Sequence, residues 1–171
     1  MKKMKKACAV LLAVLSVSLL ASAFAGPNNI VRWNSIDGVI TALNVDNPVG
    51  NNIHSGTFAW SVGSGQAHVN LSTGHTSFLV EGLVINGTVF SGTTGPITAV
   101  VGTLVCNPGP AQTVQDTASV PFEVQGDAHF TGTIGKIPNP CDNPIFLIRI
   151  AVPVGAAGRW IATGADRTGG Q

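Results

Sequence analysis

Metal binding or hydrolysis in this 171-residue chain would have to draw on four histidines, His54, His68, His75 and His129, and eight carboxylates. Residues 66–71 read as a strand with Ala67, Val69 and Leu71 on one face and His68 and Asn70 on the other. Around residues 128–134, Ala128, Phe130 and Ile134 share a face, leaving Asp127, His129, Thr131 and Thr133 on the opposite one. Were those two strands neighbours, His68, His129 and Asp127 would approach each other as zinc or copper ligands, or as the base of a hydrolytic centre. His-x-His, His-Glu-x-x-His and Cys-x-x-Cys, the spacings that fix ligands within one element, do not occur. Solvated strand positions explain the same residues without any chemistry. The expected catalytic, cofactor and metal sets are therefore empty, with His68, His129 and Asp127 standing as the candidates if a metal site exists.

Two further charges interrupt apolar runs. Glu81 breaks residues 78–85 and Arg149 breaks residues 145–152, the two most apolar stretches after the N-terminal region. An unpaired buried charge is costly, so each must face solvent, find a cross-strand partner or point into a ligand cavity; an exposed face or an ion pair is the expectation. Nucleophilic chemistry has little footing, because Gly63-Ser64-Gly65 is a turn and no Gly-x-Ser-x-Gly elbow occurs. A triad assembled from distant residues would place His54 or His75 beside a serine and an aspartate. Phosphate-loop and dinucleotide fingerprints are missing, and no cofactor is expected.

An N-terminal address precedes the strands that carry these residues. Lys2, Lys3, Lys5 and Lys6 precede an apolar run from Ala7 to Leu20, and Ala23-Phe24-Ala25 fits a signal-peptidase site. Residues 1–25 are expected as a cleaved signal peptide, leaving no membrane span and a secreted or periplasmic protein. The remaining chain carries five cations against eight acids, a net charge of −3, although the whole chain is +1. Five scattered cations offer no basic patch, which excludes nucleic acid as a partner. Cys106 and Cys141 are the cysteines left after cleavage, and in an oxidising compartment they are expected to form one disulfide between turn-rich stretches.

Residues 26–163 read as a single all-β domain, followed by a flexible C-terminal tail, residues 164–171, that lacks apolar anchors. Runs rich in Val, Ile, Thr and Phe recur between Gly, Pro, Asn and Ser, without a sustained helical period. Strands are expected at 30–33, 39–45, 57–62, 66–71, 76–85, 88–90, 97–106, 113–120, 122–125, 128–134, 145–152 and 160–163. After merging, these predict an antiparallel β-sandwich or small β-barrel of about 8–10 strands, Greek-key-like in connection. Asn86-Gly87 predicts a type I′ hairpin between flanking strands. Trp33, Trp60 and Trp160 suit core packing, or an aromatic row for a glycan if exposed.

The segments 100–106 (Val-Val-Gly-Thr-Leu-Val-Cys), 146–150 (Phe-Leu-Ile-Arg-Ile) and 158–162 (Gly-Arg-Trp-Ile-Ala) resemble those of uncharacterised secreted bacterial β-proteins. The order of glycines and apolar strands over 78–104 is distantly similar to the CHRD domain, a secreted β module. Asn86-Gly-Thr-Val-Phe90 stands where that domain is expected to carry His-x-His, so the resemblance implies a β fold and carries over no functional residue. The function expected is a secreted, non-enzymatic β module that binds an extracellular or periplasmic partner or a glycan, or has a structural role. Two alternatives are a small β-barrel binding a hydrophobic ligand and a secreted metal-dependent or hydrolytic enzyme using His68, His129 and Asp127.

Overall fold

The structure, a computed structural model, describes residues 29–152 and 156–169. The expected signal peptide and Cys8 lie outside the described residues, as do the last two residues of the expected tail. The described residues form strands β1 (Ile30–Gly38), β2 (Ala59–Ser61), β3 (Ser64–Asn70), β4 (His75–Glu81), β5 (Val84–Asn86), β6 (Ala99–Cys106), β7 (Thr113–Asp116), β8 (Val120–Pro121), β9 (Ala128–Thr133), β10 (Ile145–Ala151) and β11 (Ala157–Gly169), and no helix. The chain is all-β. One antiparallel sheet in the order β7-β6-β10-β11-β1-β3-β4-β9, with β8 also on β6, curls into a half-barrel, and β2 and β5 form a small second sheet.

Period-two alternation decides which face of a strand is buried. On β4, Thr76, Phe78 and Val80 point inward while His75, Ser77, Leu79 and Glu81 point outward. Trp33, Phe78, Phe130 and Phe146 fill the concave side. Ring centroids are 5.5 Å apart for Trp33 and Phe146, 5.8 Å for Phe78 and Phe146, and 6.0 Å for Phe78 and Phe130. Such pairing adds to the roughly 1.5–3 kcal/mol that burial of each large side chain contributes. Gly102 makes the approach possible, since a Cβ there would stand 2.8 Å from both Phe78 and Phe146. The interior that a small barrel would offer a hydrophobic ligand is thus occupied by the protein's own rings.

The middle of the sheet breaks the alternation. From Val100 to Cys106 every residue of β6 is buried, so both faces are covered. Thr103 carries a hydroxyl into this environment and donates it to Asp116 Oδ1 on β7, at 2.5 Å. Cys106 and Cys141 are disulfide-bonded with Cα atoms 4.9 Å apart, tying the end of β6 to the loop before β10. Alongside, Asn107 N–H donates to the Asp142 carbonyl and Asp142 N–H to the Asn107 side chain.

Several expected elements differ. Residues 164–169 are strand, not tail: β11 runs antiparallel to β1 with Val31 opposite Gly169 and Trp33 opposite Arg167. Backbone pairing holds this stretch where apolar side chains are lacking. Gly164 lies against the Trp33 indole and Arg167 donates to the Pro144 carbonyl at 2.9 Å. Residues 40–45 do not form a strand, because no neighbouring strand takes up their backbone groups and Asn44 turns left-handed at φ 64°. The expected strand 76–85 is split at Gly82, whose N–H donates to Asp127 Oδ1 at 2.9 Å. Asn86-Gly87 is no two-residue hairpin: Ile85 pairs instead with Gly92 and Thr93, making residues 86–91 a loop. Residues 122–125 form a turn around the buried Phe122.

Candidate functional site

The topology keeps the candidate metal ligands apart. β4 lies between β3 and β9, so His68 faces Ser77 and His129 faces Leu79. Asp127 is committed to the Gly82 amide and helps to form the break between β4 and β5. His68 instead has the Ser77 hydroxyl 3.2 Å from Nδ1 and the His75 ring stacked at 6.2 Å. Burial, and then the nearby His75 and Arg32 charges, push its pKa below the ordinary histidine value. Among the described residues no three His, Cys, Asp or Glu side chains are grouped to hold a metal ion.

Glu81 and Arg149 do not meet, since they sit on β4 and β10. Glu81 is exposed and accepts from Ser64 Oγ at 2.7 Å across the β3–β4 ladder. The Arg149 side chain is only 12% exposed, and its nearest charge is Asp116 on β7, at 3.7 Å. Its Nε donates to the Gly158 carbonyl and its Nη2 to the Ala157 carbonyl, bracing the irregular β10–β11 pairing. Burial lowers its pKa and Asp116 opposes that shift; a guanidinium stays charged regardless.

Most of the exposed large apolar side chains gather in one place, with Leu79, Val124 and Val152 exposed elsewhere. Thr41, Leu43, Phe58, Asn86, Val89 and Phe90 line an open groove of about 500 Å³ between the 40–45 segment and the 86–91 loop, at the edge of the β2–β5 sheet. Ile40 and Val89 stand 90% and 95% exposed, and Leu43, Val45 and Phe90 are exposed as well. Ile, Leu, Val and Phe side chains facing solvent are thus concentrated on two neighbouring loops, more than isolated surface apolar residues would give. Trp33, Trp60 and Trp160 are all buried, so none presents a face to a sugar. The sequence carried no separate signal for the groove: residues 39–45 have strand-like composition without period-two alternation, as paired β6 also does.

A second cluster surrounds His54. Asp46 takes His54 Nδ1 at 2.5 Å, the Ser55 N–H at 2.9 Å, and lies 4.0 Å from Arg159 Nη1. The hydrogen bond with His54, ahead of the opposing desolvation, lowers the Asp46 pKa. This is the histidine beside a serine and an aspartate that a distant triad would need, but the roles do not follow. Ser55 is fully buried and its hydroxyl donates to the Gly56 carbonyl, with no bond to His54.

The fold and its sites define an all-β protein with a filled half-barrel, an open apolar groove and a separate Asp–His–Arg cluster. No protein-family model matches the chain, and no curated protein or solved structure shows significant similarity to it.

Proposed function

We propose that the protein is a secreted or periplasmic binding module, without enzymatic activity, whose groove takes a small lipophilic molecule. The observation that carries this reading is the clustering of Leu43, Phe58, Val89 and Phe90 around about 500 Å³ of open space. That volume falls within the ~300–1,000 Å³ of small-molecule sites, which pair apolar walls with a few polar groups. Thr41, Asn86 and Thr88 supply such groups at this groove. The disulfide fits an oxidising compartment, and the apolar N-terminal run supplies the export signal. A ligand that binds only the folded state raises its melting temperature by mass action. A thermal melt of the oxidised protein with medium-chain alcohols and fatty acids is the test. A dose-dependent rise that Leu43→Ser abolishes supports the reading, and an unchanged midpoint across the series refutes it.

A further inference from the structure

We propose that a second pocket, formed by the 52–54 segment against the β10–β11 pairing, binds a small oxyanion of the carboxylate or phosphate type. The pocket measures about 230 Å³ and is lined by Asn52, His54, Arg149, Gly158 and Arg159. Two guanidiniums and an imidazole thus face one small space, in a chain whose region after the signal is net negative. The neighbouring carboxylates stand outside that lining and are already engaged. Asp46 accepts from His54 and the Ser55 amide, and Asp116 accepts from Thr103 and lies near Arg149.

The free donors are set by what the bound ones do. Arg159 Nη1 donates to the Ser55 carbonyl at 2.7 Å, and among the described residues the Nε–Nη2 edge of this half-exposed guanidinium has no hydrogen-bond partner. That edge is the planar fork that matches two oxygens of a carboxylate or phosphate. Asp46 holds His54 by Nδ1, which leaves Nε2 of the neutral ring as an acceptor, so the donors to an oxyanion are the guanidiniums and His54 contributes a wall of the pocket. Arg149 spends Nε and Nη2 on the Gly158 and Ala157 carbonyls, and places a fixed positive charge at the pocket wall.

The support is rigid. Trp160 N–H donates to the His54 carbonyl, Gly56 N–H to the Trp160 carbonyl, and Val49 N–H to the Ile53 carbonyl. The first two pin the segment carrying His54 to β11 and the third closes the loop that precedes it. Donors held in place before the ligand arrives reduce the ordering cost of binding. The pocket is open to solvent, so the oxyanion can be the end group of a longer molecule.

The test is calorimetric titration of the oxidised protein with inorganic phosphate, sulfate and malonate, paired with amide chemical-shift mapping. Saturable one-site binding with Kd of about 1 mM or tighter, with shifts at Asn52, His54, Gly158 and Arg159, is expected. The strongest of the three anions then identifies the end group. Arg159→Lys keeps the charge and loses the fork, and should weaken binding about tenfold or more. Should that variant fold poorly, shift mapping on the unaltered protein decides alone. No saturation by about 50 mM with any anion overturns the proposal, as do shifts confined to other surfaces or a folded Arg159→Lys that binds like the parent.

Discussion

The interior around Phe146 and the groove around Phe90 are built from the same residue types and end in opposite environments. Phe146, Phe78 and Trp33 lie on strands whose backbones are paired on the sheet, so their side chains are held together and sealed. Leu43, Val89 and Phe90 lie on loops, and nothing among the described residues closes over them. Hydrophobicity supplies the driving force in both regions, but backbone pairing decides which one is closed. Phe146 is buried while Ile40 and Val89 stand in water, the contrast on which the proposed groove rests.

Substitutions separate the sealed region from the open one by their cost. Phe146→Ala opens a cavity in the sealed region and should cost about 3–5 kcal/mol, read from chemical denaturation; a loss below about 1 kcal/mol would mean that the interior is not closed as described. Cys106→Ser releases the tie at the end of β6, with an expected cost of about 2–4 kcal/mol by the same measurement. Gly102→Ala forces a methyl against Phe78 and Phe146, and about 1–3 kcal/mol of overpacking should appear. Phe90→Ser, in the open region, should change stability by no more than about 0.5 kcal/mol while removing ligand binding.

Acid sharpens the same contrast at the polar outer surface. The folded His68 pKa is depressed, so the unfolded chain takes up its proton first. The contribution of neutral His68 is whole above the ordinary value of 6.5 and is eroded as pH falls below it. A small stability loss as pH falls through and below 6.5 should therefore vanish in His68→Gln; persistence of the full loss would assign it elsewhere. Asp46 is also depressed, and its contribution is present above 3.8 and lost as pH falls through the folded value. The smallest expected effect is that of chelator or added Zn²⁺, under about 1 °C in the melt, because β4 separates His68 from His129. A shift of several degrees that His129→Ala abolishes would contradict that placement.

Much of the sheet was legible because alternation is written in the side chains. Thr76, Phe78 and Val80 on β4 and Ala67 and Val69 on β3 point inward as their spacing requires. The extension of β11 to Gly169 was not legible, since a ladder of backbone bonds to β1 leaves no hydrophobic mark on Ala-Asp-Arg-Thr. Residues 40–45 and 88–90 have strand-forming composition, but strand propensity yields a strand only where a partner edge is free. Arg149 was legible as a group needing partners, whereas its carbonyl acceptors depend on a bulge that no residue type announces. The Asp46–His54 contact joins residues eight apart across a turn-rich loop, a separation that corresponds to no fixed period.

The most direct measurement is a fluorescence titration of the oxidised protein with an uncharged naphthylamine probe, run in parallel on Phe90→Ser and Phe146→Leu. Saturable one-to-one binding is expected, weakened about tenfold or more by Phe90→Ser at unchanged stability and left intact by Phe146→Leu while stability falls. Binding that survives Phe90→Ser, or that follows the loss of stability in Phe146→Leu, would place the probe in a loosened interior and contradict the groove as the binding site.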